Sequence, residues 1–356
     1  MTLEERRTAN IVGLGLIGGS VALALRQQGW HVNGIDTVAD RQDEALERGA
    51  IDMVCLDRSA DITFVAIPAS SVPLVAEELL ESTAGLVTDV ASVKSRIVSA
   101  VDNPRFVGGH PMAGSEQEGL GGSRADMFQG AVWVLTPSAA TADETVAVVA
   151  SVLRSLGADV LAVDAERHDE IVAVVSHVPH LTAAALMRLA DARSVDHVAL
   201  LRLAAGGFRD MTRVAAGHPA IWPDICVENQ EAIVAVIDAL VGELNRLRSS
   251  VAESDRDAIF DSLREARAAR TNLPSSAPTS DQLAEVRIPI PDRPGSAAEV
   301  FTLAGELAVN VYDFEVAHSP EGDFGVMVLV IEADQIDLFR GGLLARGFRP
   351  GVRELA

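Results

Sequence analysis

Three glycines near the N-terminus place the strongest constraint on how this 356-residue chain can fold. Gly13, Gly15 and Gly18 follow the short apolar run 9–12 and lead into an apolar segment, 21–28, that is predicted to be helical. In a strand–turn–helix unit the first glycine turns the chain, the second admits a pyrophosphate, and the third lets helix and strand pack closely. The pattern therefore predicts a dinucleotide-binding turn, with the pyrophosphate at a helix N-terminus.

A second predicted strand, 30–35, ends in Asp36, which lies 18 residues after Gly18. A carboxylate at this place accepts hydrogen bonds from the adenosine ribose hydroxyls and repels the 2′-phosphate of NADP. We therefore predict NAD as the cofactor. The predicted cofactor-binding residues are Gly13, Leu14, Gly15, Leu16, Ile17, Gly18, Asp36 and Pro68.

Further strands alternate with helical segments over the first part of the chain. This alternation is typical of a doubly wound parallel sheet, so residues 1–165 are predicted to form a Rossmann-type α/β domain. Ligands bind at the carboxyl ends of such strands, which puts Ser92 and Lys94 at the rim of the cofactor crevice. The remaining predicted strands are 62–67, 85–88, 105–107, 131–135 and 158–163.

His110 stands between the pair Gly108-Gly109 and Pro111. Glycine allows unusual backbone conformations and close approach of a ligand, and proline fixes the turn on the other side. The sequence predicts an imidazole on a stiff loop at the rim of the crevice. With an ordinary pKa near about 6.5, histidine is the natural group to accept a proton at neutral pH.

The region 166–270 has helical spacing and is predicted to be an all-helical substrate-binding and dimerisation domain. His177 and His180 lie three residues apart, on either side of the kink expected at Pro179. They fit either a metal pair or one packing histidine beside one substrate donor. No third ligand has metal-site spacing, so we predict no metal. A long amphipathic helix is predicted from 220 to about 247, and its apolar face predicts a homodimer.

Arg213 and Lys94 are the cations considered for an anionic substrate. Arg213 follows Met211 and Thr212, so its guanidinium either points inward to a carboxylate or lies on the surface beside an acidic neighbour. Lys94 is the only lysine in the protein, which reflects either chance or a need for a compact ammonium.

The net charge of −22 argues against nucleic acid and anionic membranes as partners. An anionic substrate would therefore need a locally positive pocket. The two cysteines are far apart and have no metal-site spacing, which favours a reducing cytoplasm over a disulfide framework.

The C-terminal part begins with a linker, 271–282, that is rich in Ser, Pro and Thr. Alternating strands and helices follow in the order βαββαβ, which predicts a ferredoxin-like domain over 283–356.

These motifs together resemble the prephenate dehydrogenase family, in the form that carries a C-terminal ACT domain. The resemblance runs from Asn10 to the C-terminus. Its most specific parts are GLGLIGGS, the segment 89–94, GGHPMAGSE, SHVPH, and GGFRDMTR with the following IWPDICVENQ. It implies oxidative decarboxylation of prephenate to 4-hydroxyphenylpyruvate, with reduction of NAD, in tyrosine biosynthesis.

The resemblance also implies roles for individual residues. His110 is expected to bind the ring 4-hydroxyl and accept its proton, with Ser92 as partner of both groups. Arg213 is expected to bind a substrate carboxylate. His180, Glu116, Lys94 and Asp169 are expected in or beside the same pocket. In the ACT domain, the turn with Asp292 and Gly295 is expected to bind an effector, for which tyrosine is the candidate.

The sequence leaves three alternatives open. Prephenate and arogenate differ only by a keto group and an amine, so an arogenate dehydrogenase has the same pattern. A dehydrogenase for another hydroxy acid would share the two-domain plan. A non-catalytic sensor of NAD and an amino acid would use the C-terminal domain and have no need of His110.

Overall fold

The computed structural model describes residues 7–114, 117, 119–194, 206–217, 219–271, 283–291, 293, 295–318 and 324–354. The chain separates into two compact units, Met1–Arg246 and Leu247–Ala356.

In the described residues of the first unit, strands form one sheet in the order β2-β1-β3-β4-β5-β6-β7. Because β1 lies between β2 and β3, the sheet has a topological switch point at the end of β1, where ligands bind in folds of this kind. The strands are β1 (Thr8–Val12), β2 (His31–Ile35), β3 (Ile62–Val65), β4 (Leu86–Asp89), β5 (Phe106–Pro111), β6 (Val132–Thr136) and β7 (Asp159–Ala162).

Helices cover the sheet through two apolar clusters. Side chains alternate between the faces of a strand, so Ile11 and Phe64 belong to one cluster while Val12 and Val65 belong to the other. Helices α1, α2 and α5 contribute to the first cluster, and α3 and α4 to the second. Their bounds are α1 (Leu16–Gln27), α2 (Ala39–Glu47), α3 (Val72–Ser82), α4 (Ser95–Ala100) and α5 (Asp143–Ser155).

The predicted parallel sheet is found over β1–β5 and needs correction at its far edge, because β5 and β6 are antiparallel. Pro111 at the end of β5 pairs with Trp133 near the start of β6. Parallel neighbours need a crossover connection, usually a helix. In the described residues between these strands, the one regular element is the short 3₁₀ turn Leu120–Gly122. The chain therefore returns beside β5, and α5 then makes β7 parallel to β6.

The helical region differs from its predicted form at two places. The distortion expected at Pro179 is a wider π-helical turn, Ala173–His177, just before it. The long helix predicted from 220 to about 247 is broken at Asn229. The helices are α6 (Ala165–Val172), α7 (Val178–Ser194), α8 (Gly206–Thr212), α9 (Trp222–Glu228), α10 (Gln230–Ala252) and α11 (Arg256–Thr271).

In the C-terminal unit, described strands form an antiparallel sheet in the order β11-β8-β10-β9. The sheet packs against two helices, α12 and α13, and residues of both helices belong to the shared apolar core. Val286, Met327 and Phe339 are members of this core. The predicted linker lies outside the described residues except for Thr271. The elements are β8 (Leu283–Pro291), α12 (Ser296–Glu306), β9 (Asp313–His318), β10 (Phe324–Glu332), α13 (Ile336–Ala345) and β11 (Gly351–Glu354).

Candidate active site

The glycine turn between β1 and α1 has the geometry of a dinucleotide site. Gly13 has φ +96°, a conformation that favours glycine, and any Cβ there or at Gly18 would collide with neighbouring main-chain atoms. A Cβ at Gly15 would meet no described atom within 4 Å. Gly15 is also the N-cap residue of α1, and because it has no side chain it makes no capping hydrogen bond to the first N–H groups of that helix. The helix N-terminus therefore faces open space, which fits a bound pyrophosphate.

Asp36 follows β2 and lies beside this turn. Its Oδ2 accepts a hydrogen bond from Leu14 N at 2.8 Å, and its Oδ1 accepts one from Val38 N at 2.9 Å. Arg41 Nη1 lies 3.6 Å from Asp36 Oδ2. The carboxylate is thus held in place by the main chain and retains lone pairs for ribose hydroxyls.

The remaining predicted cofactor residues lie at the same edge. Leu16 and Ile17 begin α1, whose N-terminus faces the open space. Pro68 follows β3 and begins the short 3₁₀ turn Ala69–Ser71. Since β3 is the neighbour of β1, Pro68 lies on the other side of the switch point from Asp36.

His110 lies within β5 and is buried, where the sequence predicted a loop. The two glycines before it are required by packing. A Cβ at Gly109 would lie 2.6 Å from Asp89 O and 3.0 Å from Trp133 Nε1. The Gly-Gly pair therefore allows β5 to pack closely against its surroundings, and the imidazole is fixed by a strand.

A chain of hydrogen bonds connects His110 to a carboxylate. His110 Nδ1 lies 2.9 Å from His168 Nε2, and His168 Nδ1 lies 2.8 Å from Asp169 Oδ1. The carboxylate also accepts hydrogen bonds from the main-chain N–H groups of Lys94 and Ser95, each at 2.8 Å. Burial raises the pKa of Asp169, but these bonds, led by the one from His168, hold it below its ordinary value.

The ionised carboxylate determines how the protons are arranged along this chain. It accepts a proton from His168 Nδ1, so in neutral His168 the Nε2 atom is an acceptor. His110 then donates from Nδ1 to His168, which leaves its own Nε2 with a free lone pair. Burial holds the pKa of His110 well below its ordinary value, and His168 and Lys94 act in the same direction. The arrangement therefore provides a neutral imidazole that can accept a proton.

The structure corrects the predicted place of Lys94. Its side chain is fully buried and its Nζ pairs with Asp89 Oδ1 inside the protein. It therefore lies beneath the strand of His110 instead of at the rim of the crevice. A buried ammonium is stable only when it is paired, and Asp89 supplies the partner from the end of β4.

The helical region contributes His177 and His180 on either side of Trp222. His177 is buried, and burial lowers its pKa to about 4. Asn229 Nδ2 lies 3.2 Å from His177 Nδ1 and donates a hydrogen bond to Asp169 O at 2.8 Å. The half-buried His180 stacks on Trp222 at a centroid distance of 3.6 Å. His177 is therefore structural in this geometry, whereas His180 is partly exposed beside Trp222.

Ser92 and Arg213 are the remaining predicted active-site residues that the structure describes. Ser92 is half-buried in the turn before α4, and no hydrogen bond joins it to His110 in the described part of the chain. Arg213 is exposed in the 3₁₀ turn Arg213–Ala216, which packs against α7. Gly217, just beyond this turn, approaches the ring of His180. Glu116 lies outside the described residues.

The predicted effector site belongs to the C-terminal unit. Gly295 has φ +95° and is the N-cap of α12, while Asp292 lies outside the described residues.

Metal-binding and disulfide sites are not predicted from the sequence. No group of three His, Cys, Asp or Glu side chains in the described ranges is arranged to hold an ion. Cys55 and Cys226 are both free thiols.

Sequence reasoning missed His168, Asn229 and Asp89 as parts of the site. A signal for the first was present, because His168 immediately precedes Asp169 at the start of a helical region. Asp89 and Asn229 stand in motifs that carry the resemblance, but their roles depend on contacts with distant segments.

Two family models match this chain. The model described as the nucleotide-binding domain of prephenate dehydrogenase matches residues 21–162, and the one described as its dimerization domain matches residues 164–265. Prephenate dehydrogenase of Bacillus subtilis strain 168 is 30% identical over 347 residues, which cover 93% of this chain and 94% of that protein.

Solved structures give the same result. Prephenate dehydrogenase from Aquifex aeolicus, in complex with hydroxyphenyl propionate and NAD+, has a TM-score of 0.71 and 30% identity, covering 77% of this chain and all of that one. The arogenate dehydrogenase of Synechocystis has a TM-score of 0.65 and 31% identity, covering 74% of this chain and 98% of that one. On its sequence and its fold, the chain belongs to the prephenate dehydrogenase family.

Proposed function

We propose that this chain is an NAD-dependent prephenate dehydrogenase, which converts prephenate to 4-hydroxyphenylpyruvate and CO₂. The observation that carries the proposal is the hydrogen-bonded chain from Asp169 through His168 to a neutral His110. The reaction needs a base for one hydroxyl proton beside a dinucleotide site, and both are present in the first unit.

The residues of the glycine turn fit NAD. The open space at Gly15 receives the pyrophosphate, and Asp36 accepts hydrogen bonds from the ribose hydroxyls. When bound there, NAD supplies the nicotinamide that accepts a hydride from C4 of the substrate ring.

His110 performs the proton transfer. Its Nε2 accepts the proton of the ring 4-hydroxyl as the hydride leaves, while His168 and Asp169 stabilise the imidazolium that forms. Loss of the ring carboxylate yields an aromatic ring, so this step needs little assistance. The main work of the protein is to orient the substrate and remove one proton. In this proposal, Arg213 binds a substrate carboxylate, and Ser92, His180 and Glu116 complete the pocket.

Arogenate is the alternative substrate, because a relative of similar identity is an arogenate dehydrogenase. One experiment separates the candidates. The purified chain is mixed with NAD and either prephenate or arogenate, and NADH absorbance is followed. We expect a faster rate with prephenate. A higher kcat/KM with arogenate would reassign the substrate, and no NADH with either would support the non-catalytic sensor.

We also propose that the active form is a homodimer through the helical region. The segment Ala165–Arg193 is long and apolar enough to cross a membrane by composition alone. However, its first part carries the buried pair His168 and Asp169. Exposed apolar side chains continue along α10, including Val241 and Leu244, and a groove of about 670 Å³ lies between α7 and α10. Sedimentation should give twice the chain mass, and Leu244→Glu should weaken the dimer.

Residues 283–356 of the C-terminal unit are proposed to form an ACT domain that binds tyrosine as feedback effector. Support comes from the strand order β11-β8-β10-β9 with two helices, which is the order of ferredoxin-like folds, and from the left-handed turn at Gly295.

With two free cysteines and a strong negative charge, a reducing cytoplasm is the proposed location.

A further inference from the structure

Lys94 is connected to both ends of the active-site chain, at one end by its own main-chain N–H and at the other end through Asp89. Its main-chain N–H donates to Asp169 Oδ1 at 2.8 Å. Its ammonium pairs with Asp89 Oδ1, and Asp89 Oδ2 accepts a hydrogen bond from Gly109 N at 3.3 Å. Gly109 immediately precedes the base, His110. One residue therefore holds the carboxylate at one end and the strand of the base at the other.

Close packing gives the Lys94 side chain little freedom. A Cβ at Gly108 would lie 3.4 Å from Lys94 Cδ and would collide with Thr136 Oγ1. The lysine and Asp89 are both fully buried, so neither charge is screened by solvent. The absence of any other lysine in the chain is consistent with a specific requirement here.

We propose that the buried Lys94–Asp89 pair is a positioning element, which fixes His110 against His168 without contacting the substrate. This inference rests on the proposed role of His110 as base. It differs from the role expected from the sequence, in which Lys94 is part of a positive lining for the anionic substrate.

The charges around His110 favour this role. Its immediate neighbour is His168, whose other nitrogen contacts Asp169, and His177 lies on the far side of the carboxylate. Lys94 is the permanent cation of this group, and its charge opposes protonation of His110. Asp89 carries the opposite charge beside it, so removing the pair leaves the net charge of the group unchanged and disturbs chiefly the position of His110 against His168.

The test removes both charges while preserving shape, since Lys94→Met alone would leave Asp89 buried and unpaired. In the double variant Lys94→Met, Asp89→Asn we expect kcat to fall about ten-fold and the KM for prephenate to change less than about two-fold. NAD affinity should also be nearly unchanged, because the loss is confined to the positioning of the base. The matched control is Arg346→Met, Glu306→Gln, an exposed pair of the C-terminal unit that should leave kcat and KM unchanged.

A second measurement does not depend on turnover. Because the chain has one lysine, protein grown with ¹⁵N-lysine gives a single side-chain Nζ signal. We expect this signal to be protected from solvent exchange. Histidine NMR without substrate should show faster solvent exchange of the His110 Nδ1–H proton in the double variant, because its hydrogen bond to His168 is no longer held in place. If wild-type protein fails to oxidise prephenate but these NMR results hold, the proposed reaction is wrong and the positioning role stands.

Should the double variant not fold, the exchange measurement on the wild-type protein still tests the proposal, and freely exchanging Nζ protons would overturn it. So would a folded double variant with wild-type kcat and an unchanged His110 Nδ1–H signal.

Discussion

His110 Nδ1 lies 2.9 Å from His168 Nε2, so the two imidazoles share a single proton between β5 and α6. His168 contacts the ionised Asp169 through its other nitrogen. The tautomer of each ring is therefore set by the carboxylate, two steps away from the atom that performs the chemistry.

This relationship predicts the effect of Asp169→Asn. The neutral amide keeps a polar group beside His168, but it removes the negative charge that fixes the His168 tautomer and stabilises the imidazolium formed when His110 accepts a proton. We expect kcat to fall about a hundred-fold or more with little change in NAD binding. Glu170→Gln, on the exposed neighbour, is the control. A full rate in Asp169→Asn would show that the chain does not set the tautomer.

The base itself is tested by His110→Asn. The substitution removes the proton acceptor and should lower kcat by roughly 10²–10⁴, with NAD affinity measured by fluorescence nearly unchanged. If the variant keeps most of its kcat, another group is the base.

The pH profile of the wild-type enzyme gives an independent check on the same residue. A base must be unprotonated, and burial holds the pKa of His110 well below 6.5. Activity should therefore persist at pH 6.5 and be lost only as the pH falls through the lowered value. An acid limb of kcat/KM centred at or above 6.5 would contradict this environment.

The sequence predicted the architecture of the nucleotide-binding region because its signals are local. The glycine turn, the strand before it and Asp36 lie within 28 residues, and the strand pattern repeats along the chain. The reversal at β6 was not predicted, since strand direction depends on the connection between β5 and β6.

The environment of the base could not be predicted for a related reason. Gly108-Gly109 reads as a turn, but its role depends on Asp89 and Trp133 from other strands. Lys94 reads as a surface cation, and its burial depends on the pairing with Asp89. His168 reaches His110 only because α6 packs near the end of β5, and no local pattern encodes that contact.

Cofactor preference should depend on Asp36 and be moderated by Arg41. The carboxylate repels a 2′-phosphate, while the half-exposed Arg41 guanidinium, 3.6 Å away, partly offsets that charge. Asp36→Asn removes the charge and keeps one acceptor, so the ratio of kcat/KM for NAD over NADP should fall at least about ten-fold. Arg41→Ala should raise the same ratio. Equal efficiency of the wild-type enzyme with both cofactors would contradict the prediction.

Arg213 is predicted to bind a substrate carboxylate. Losing a charge-assisted hydrogen bond costs about 1.5–3 kcal/mol, so Arg213→Ala should raise the KM for prephenate roughly ten- to a hundred-fold. Arg213→Lys should recover part of the loss, because an ammonium cannot pair bidentately. Arg209→Ala, on the exposed face of α8, is the control. An unchanged KM in Arg213→Ala would make it a surface charge.

The C-terminal unit is predicted to be the tyrosine sensor. An effector that binds at one site and changes another is typically coupled by about 1–3 kcal/mol, or roughly 5- to 150-fold in affinity. A chain that ends within the linker 271–282 should keep its activity and lose this inhibition. Tyrosine also resembles the product, so inhibition of full-length and truncated forms should be compared at saturating prephenate, where competition at the active site is suppressed.

A substitution in the full-length chain separates effector binding from loss of the whole unit. Gly295 has φ +95°, a conformation strained for any residue with a Cβ, and it begins α12. Gly295→Val should therefore distort the proposed effector turn, abolish tyrosine inhibition and leave kcat unchanged. Gly305→Ala, within α12 and with open space around its Cβ position, is the control that should retain inhibition. Identical tyrosine inhibition curves for the full-length, truncated and Gly295→Val proteins would mean that tyrosine acts only at the catalytic site.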